Sequence, residues 1–210
     1  MGVSEFQLTD RIVPCPFLPC NNHPRIALMG IILLGGIKHC GKTTLGRITA
    51  AEMDWRFYDL DDLVLIEAGS VWNSVREIWQ NMGKEAFLQL EEDAARSFIE
   101  WIVPDLDGGG CILSLGGGTV ENTGAMAWIG RKGTNVYIQG EEIMLYNRIM
   151  AGGRPPFLSE ASPREDFTLL YEKRDALYRD FAHLVHQVDD SPAELNARRL
   201  VVALEKYHER

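Results

Sequence analysis

The chain has 210 residues, of which 46% are hydrophobic and 24% are charged, and this predicts one globular domain that buries its own core without disulfides or a structural metal. Its net charge of -9 argues against a nonspecific hold on nucleic acid or on an anionic membrane surface. The one long apolar stretch, residues 26–34, is interrupted by Gly30 and is too short to cross a bilayer.

Four cysteines, at positions 15, 20, 40 and 111, are too few and too irregularly spaced for a disulfide framework. We therefore expect a cytoplasmic protein. Cys15, Cys20 and His23 resemble part of a zinc site, but a fourth ligand at a suitable spacing is missing. Prolines at 14, 16, 19 and 24 favour the alternative, in which residues 1–28 are a disordered or loosely attached extension and residues 29–210 form the domain.

From residue 29 onward, short runs rich in Ile, Val and Leu alternate with amphipathic segments, which indicates βα units and a parallel sheet. Strands are predicted at residues 29–34, 55–59, 111–115, 135–138 and 184–188. Apolar helix faces are predicted from Phe87, Leu90, Ala94 and Phe98, within residues 84–101, and from Leu170, Ala176, Leu177 and Phe181. The fold class predicted is α/β, with three α/β/α layers around a five-stranded parallel sheet.

Residues 36–43 read Gly-Ile-Lys-His-Cys-Gly-Lys-Thr, which satisfies the phosphate-loop pattern GxxxxGK[ST] between a predicted strand and a predicted helix. Glycines let successive backbone N–H groups face a phosphate, and the positive end of the helix adds to the attraction. Lys42 is expected to meet the β- and γ-phosphates of ATP and to act in catalysis, while Thr43 offers its hydroxyl to Mg²⁺. The residues expected to bind ATP here are Gly36, Lys38, Cys40, Gly41, Lys42, Thr43 and Thr44.

Two carboxylates, Asp59 and Asp61, end the second predicted strand. Residues two apart on a strand point to the same face, and ligands of open α/β sheets gather at the carboxyl ends of the strands. One carboxylate is therefore expected to hold Mg²⁺, and the other to orient or deprotonate a hydroxyl of the phosphoryl acceptor. Alternatively, Asp61 or Asp62 only N-caps the helix that follows.

Taken in order over about residues 29–207, the motifs resemble those of the shikimate kinase family. The segments that carry the resemblance are GKTTLGR ending at Arg47, FYDLD at 57–61, VREIWQNMGKEAFLQLE at 75–91, SLGGGTV at 114–120, GGRPP at 152–156 and EKRDALY at 172–178. The resemblance implies a P-loop kinase fold with an acceptor-binding segment over about residues 60–101 and a mobile lid over about residues 150–162.

The resemblance also implies a function, namely transfer of the γ-phosphoryl group of ATP, with Mg²⁺, to the 3-hydroxyl of shikimate in aromatic amino acid biosynthesis. Lys42, Asp61 and Arg154 are implied as catalytic residues, and Thr43 and Asp59 as metal ligands. A small molecule is the expected partner, and a monomer the expected state. The residues implied to bind the acceptor are Asp61, Trp79, Phe87, Gly116, Gly117, Gly118 and Arg174.

The resemblance implies roles for three arginines. Arg154 would reach the γ-phosphate from the lid, Arg174 would pair with the acceptor carboxylate, and Arg148 would lie beside the adenine together with Pro192. The alternative for each arginine is a solvated surface position.

The sequence departs from the family at Leu88, where the family carries an arginine that also binds the acceptor carboxylate, and at Lys84, where the family has glutamate. Lys84 lies four residues before Leu88, so both are on one helix face, and its amine could approach the carboxylate instead. Loss of one charge-assisted contact costs about 1.5–3 kcal/mol. Two alternatives therefore stay open: a kinase for another small hydroxylated acceptor, and a kinase-like protein that binds nucleotide without turnover.

Overall fold

The computed structural model describes residues 30–106, 109–155 and 157–209. A five-stranded, all-parallel sheet with the order β2-β3-β1-β4-β5 runs through the domain. Its strands are β1 Ile31–Gly35, β2 Arg56–Asp59, β3 Cys111–Ser114, β4 Thr134–Gly140 and β5 Leu184–Val188. All five predicted strands are confirmed, as is the α/β fold class. The expected extension over residues 1–28, with Cys15, Cys20 and His23, lies outside the described residues.

Seven α-helices of the described residues cover the sheet. They are α1 Lys42–Met53, α2 Leu60–Glu67, α3 Val75–Ser97, α4 Thr123–Ile129, α5 Glu142–Ala151, α6 Pro163–Phe181 and α7 Ala193–His208. Short helical turns at Phe98–Ile102, Val103–Leu106 and Thr119–Glu121 complete the helical structure of these residues. No helix in the described part of the chain is long and apolar enough to span a membrane.

The strand period of two divides the core into two layers. Ile32 and Leu34 of β1 pack with buried residues of α1, α5, α6 and α7, whereas Ile31 and Leu33 pack with those of α2, α3 and α4. Because β1 is buried on both faces, its sequence is continuously apolar. The three predicted layers follow from this arrangement.

The predicted apolar face on α3 agrees with the structure, whereas the one on α6 is wrong at one position. Gly83 interrupts α3 with φ 83° and ψ 177°, so a new helical segment begins near Lys84 as predicted, and Ala94 and Phe98 on its face are fully buried. On α6, by contrast, the predicted face was wrong at Ala176, which is exposed, while Phe167 and Tyr178 are fully buried. The aromatic side chains cover far more apolar area than alanine and therefore decide which side of α6 faces the sheet.

Helix α1 approaches the sheet closely at Gly46. A Cβ atom on Gly46 would lie 2.5 Å from the ring of Phe57 and 3.1 Å from the side chain of Leu34. Since α1 carries the phosphate loop at its start and β2 carries Asp59 at its end, this contact fixes the spacing of the two elements on which the site is built.

We expect Gly46→Ala to destabilise the fold by about 1–3 kcal/mol, because overpacking against Phe57 outweighs the gain of about 1 kcal/mol in helix propensity. Chemical denaturation of purified protein measures this. The penalty should shrink when Gly46→Ala is introduced together with Phe57→Leu, which opens the space. A stabilising effect of Gly46→Ala alone would show that the contact is looser than described.

Candidate active site

The phosphate loop turns between β1 and α1. Gly36 has φ 155° and Gly41 φ 93°, and Gly41 occupies the N-cap of α1 in the left-handed region that favours glycine. The Lys42 side chain is almost fully buried, and its Nζ donates to the carbonyl oxygens of Gly36 at 2.8 Å and Ile37 at 3.3 Å. The loop thus closes around the ammonium group of Lys42.

The remaining loop residues divide into two groups. Lys38, Thr43 and Thr44 are exposed at the loop and at the first turn of α1. Cys40 is buried, its amide donates to the Ile37 carbonyl at 3.2 Å, and its Sγ lies 3.8 Å from Lys42 Nζ. Cys40 therefore holds the shape of the loop from inside.

Positive charge is concentrated around the loop. Burial lowers the pKa of His39, and the charges of Lys38, Lys42 and Arg148 lower it further. These effects disfavour the charged form of His39, and the three cations make the loop attractive to a polyphosphate.

Asp59 links the loop to the second strand. Thr43 Oγ1 donates to Asp59 Oδ2 at 2.7 Å, and the amide of Asp61 donates to Asp59 Oδ1 at 3.1 Å. Asp59, and neither Asp61 nor Asp62, is the N-cap of α2. The prediction that Asp59 and Asp61 point to the same face of one strand was wrong, because the strand ends at Asp59 and Asp61 lies in the first turn of α2.

Asp61 is nevertheless close to Asp59. Burial and, next, the charge of Asp59 raise the pKa of Asp61 to about 6, although the nearby Lys42 acts in the opposite direction. A carboxyl group that takes up and releases a proton near neutral pH, beside a phosphate loop, suits general base catalysis.

The glycine triplet joins the parts of the site. A Cβ atom on Gly116 would lie 3.0 Å from Asp61 Oδ1, and one on Gly117 would lie 3.0 Å from the amide nitrogen of Lys38. A Cβ atom on Gly118 would lie 3.0 Å from Nη2 of Arg174. Side chains here would fill the space between the carboxylate, the phosphate loop and the arginine, so only glycine lets all three converge.

Glu91 is a site residue that the sequence did not reveal. It is 3% exposed, and it accepts hydrogen bonds from Thr119 Oγ1 at 2.6 Å and Asn122 Nδ2 at 2.8 Å. Burial raises its pKa, although the two hydrogen bonds oppose the shift. An available signal was its place one turn before Ala95, on the apolar face of α3.

The two aromatic residues predicted to wall the acceptor contact each other across the Gly83 kink. Trp79 and Phe87 lie on opposite sides of the kink and contact each other edge to face, with ring centroids 5.3 Å apart. Leu88 follows, half buried, and its carbonyl accepts from Asn122 Nδ2 at 2.9 Å. The same amide thus connects Leu88 to Glu91.

Two of the three predicted arginines lie at the site. Arg174 faces Gly118 and pairs with Glu121. Arg148 donates to the His39 carbonyl at 3.4 Å and to Asp190 at 2.8 Å. Asp190 lies in the loop before Pro192, the N-cap of α7, so the predicted adenine-binding pair is brought beside the phosphate loop.

Arg154 lies elsewhere. It pairs with Glu160 at 2.8 Å and donates to the carbonyl oxygen of Leu158, both within the predicted lid. Leu158 is fully buried and anchors this segment to the core. Lid mobility and the reach of Arg154 to the γ-phosphate stay predictions.

Comparison with known proteins points to one family. A family model described as Shikimate kinase matches residues 38–205. The chain is 30% identical to the shikimate kinase of Marinomonas sp. (strain MWYL1) over 176 residues, which is 84% of this chain and 92% of that one. It is 33% identical over 153 residues to the shikimate kinase of Neisseria meningitidis serogroup C, covering 73% of this chain and 84% of that one.

Solved structures agree in fold. A shikimate kinase from Acinetobacter baumannii in complex with shikimate superposes with a TM-score of 0.74 at 21% identity, covering 87% of this chain and 96% of that one. The shikimate kinase of Bacteroides thetaiotaomicron gives a TM-score of 0.68 at 26% identity, covering 85% and 99%.

We expect Asp61→Asn to stabilise the protein at pH 8 by about 1–2 kcal/mol. The folded-state pKa of Asp61 is raised from 3.8 to about 6, so its ionised form costs stability above that range, and the cost disappears below about pH 4. Denaturation of both proteins at pH 8 and pH 4 measures the difference. Asp180→Asn, at an exposed carboxylate of α6, is the control and should show little change, and an equal gain for Asp61→Asn at both pH values would contradict the prediction.

Proposed function

The chain belongs to the shikimate kinase family, and from this premise we propose that it transfers the γ-phosphoryl group of ATP to the 3-hydroxyl of shikimate. The observation that carries the proposal is the convergence of three parts: the phosphate loop around Lys42, the Thr43–Asp59 pair, and Asp61, with a pKa of about 6, facing Gly116. This arrangement offers a nucleotide-binding loop, metal-binding oxygens and a base within one small region.

The loop backbone and the positive end of α1 hold the phosphates of ATP in this proposal. Lys42 supplies the cation that meets the β- and γ-oxygens, and its present carbonyl partners keep the ammonium group within the loop. Arg148 and Pro192, brought beside the loop, flank the adenine.

Thr43 and Asp59 fit a magnesium ion. Both present hard oxygen atoms, and these lie 2.7 Å apart beside the loop. The described residues contain no group of three or more His, Cys, Asp and Glu that could hold a metal, which suits an ion that keeps waters and substrate phosphates as its other ligands. When bound, Mg²⁺ neutralises charge on the transferred phosphoryl group.

Asp61 accepts the proton of the acceptor hydroxyl, because its raised pKa makes it a competent base at neutral pH. Trp79 and Phe87 wall the acceptor ring, the glycine triplet approaches it through the backbone, and Arg174 pairs with its carboxylate. Arg154 stabilises charge on the phosphoryl group after the lid closes, which requires it to exchange its contact with Glu160.

We also propose that the protein is a cytoplasmic monomer with a small-molecule substrate as its partner. Cys40 and Cys111 are both free, which supports a reducing compartment.

One observation favours a second candidate function. The half-buried Leu88 gives the acceptor-binding segment an apolar side chain where a carboxylate would find a cation in the family. The same machinery could then phosphorylate a less charged hydroxylated acceptor, such as another polyol. A screen of acceptors with ATP separates the two candidates.

Shikimate should give ADP release well above background in a coupled assay with ATP and Mg²⁺. Lys42→Ala should abolish nearly all turnover with the fold intact, because the transferred phosphoryl group loses its cation. Lys132→Ala removes a similar charge from an exposed position at the opposite end of the sheet and should keep turnover. Binding of ATP without turnover of shikimate at millimolar concentration would overturn the acceptor assignment.

Leu88→Arg should lower the KM for shikimate by about tenfold to a hundredfold, the value of one charge-assisted contact, with kcat little changed. The hydrogen bond from Asn122 survives because it uses the backbone carbonyl of residue 88. Gln89→Arg adds the same charge at the exposed neighbouring position and controls for the general electrostatic effect. Equal effects of the two variants would show that residue 88 does not face the acceptor carboxylate.

A further inference from the structure

Glu121 lies between two cations at the edge of the site. It ends the short helical turn Thr119–Glu121 that follows the glycine triplet. Its Oε1 lies 2.6 Å from Lys173 Nζ, and its Oε2 lies 2.8 Å from Nε and 2.7 Å from Nη2 of Arg174. The Glu121 and Arg174 side chains are only 25% and 19% exposed, so this pair is better shielded from water than an ordinary surface ion pair.

The geometry of the pair leaves half of the guanidinium available. A guanidinium group presents two donor edges, one formed by Nε and Nη2 and the other by Nη1 and Nη2. Glu121 occupies the first edge through a single oxygen. Within the described part of the chain, Arg174 Nη1 donates to no hydrogen-bond acceptor, and Nη2 lies beside Gly118. The second edge can therefore receive another carboxylate while Glu121 stays in place.

We propose that Glu121 is a positioning residue for the acceptor: it holds Arg174 by one edge so that the opposite edge binds the acceptor carboxylate. This rests on the proposed function, in which Arg174 is the group that pairs with that carboxylate. Lys173 balances the charge of Glu121, so the cluster of Lys173, Glu121 and Arg174 keeps one net positive charge for the acceptor.

The conformational order of the Arg174 side chain matters more for acceptor affinity here than it would in a site with two arginines. Leu88 contributes no donor from its side chain, so in this proposal the two-bonded contact with the acceptor carboxylate is made by Arg174. A long arginine side chain that is free in solution loses rotamer entropy when it binds, which corresponds to about three- to tenfold in affinity. Because Glu121 already orders the Arg174 side chain in the folded protein, this entropy is lost during folding and not on binding of the acceptor. It stays ionised at neutral pH, since the hydrogen bond from Lys173 and the charge of Arg174 hold its pKa low despite its burial.

The opposite role is chemically possible and differs in sign. If Glu121 competed with the acceptor for Arg174, its removal would free the arginine and lower the KM for shikimate. Steady-state kinetics of Glu121→Ala and Glu121→Gln distinguish the two roles. Gln keeps the size of the side chain and one oxygen that Arg174 can donate to, so it also covers the case in which Ala disturbs folding.

We expect Glu121→Ala to raise the KM for shikimate by about three- to tenfold, with kcat and the KM for ATP unchanged, because the carboxylate contact is made equally before and during phosphoryl transfer. Glu121→Gln should give an intermediate KM. The increase should persist in about 1 M salt, where charges are screened beyond about 3 Å, since it reflects side-chain order. Glu205→Gln, in the last turns of α7, makes the same charge change elsewhere and should leave all constants unchanged.

The measurements distinguish failure of the proposed function from failure of the proposed role of Glu121. A wild-type protein that does not phosphorylate shikimate overturns the proposed function and, with it, the role of Glu121. Normal wild-type turnover combined with an unchanged or lower KM in both variants overturns only the role of Glu121. A loss of kcat at unchanged KM would also overturn it, because the residue would then act on the chemical step.

Discussion

Close backbone approach at the glycine triplet is the constraint on which the rest of the site depends. Strand β3 lies between β1 and β2 in the sheet, so residues 116–118, which follow it, pass between the phosphate loop and the paired aspartates. The hydroxyl of Tyr178 donates to the Gly116 carbonyl at 3.1 Å, and a Cβ atom on Gly35 would lie 2.6 Å from the Tyr178 ring. The fully buried Tyr178 of α6 therefore contacts both the end of β1, where the phosphate loop begins, and the glycine triplet. This contact fixes the position of the two segments relative to each other.

Positive charge lies on one side of this triplet, at the phosphate loop, and negative charge lies on the other side, at the two aspartates. Loss of hydration lowers the pKa of His39, and the charges of Lys38, Lys42 and Arg148, which surround the phosphate loop, lower it further. On the other side, Asp59 acts together with burial to raise the pKa of Asp61. Lys42 and Asp61 thus lie near each other without forming an ion pair, because Lys42 donates to loop carbonyls while Asp61 faces Gly116. A base that formed an ion pair with the lysine would lose its affinity for a proton.

Most of the fold and the phosphate loop could be predicted from local sequence. Strands buried on both faces need continuous apolar runs, and the loop pattern is contained within eight residues. Two predictions failed because they depended on distant contacts or on competition between side chains: the position of Asp61 and the face of α6 at Ala176. The role of Glu91 was not predicted at all, because its partners are distant in sequence. Glu91 meets Thr119 and Asn122, 28 and 31 residues away, so no local pattern could reveal its partners.

The acceptor end of the site shows how one substitution changes the demands on its neighbours. An arginine at position 88 would place a cation one turn from Glu91, but Leu88 does not, and two neutral donors, Thr119 and Asn122, satisfy the Glu91 carboxylate instead. Glu91 is then a buried carboxylate with a raised pKa, and it adds no attraction for an anionic acceptor. The positive charge at this end comes from Arg174 and Lys173, which share Glu121. In the proposed function, affinity for the acceptor carboxylate therefore depends on the order of the Arg174 guanidinium group.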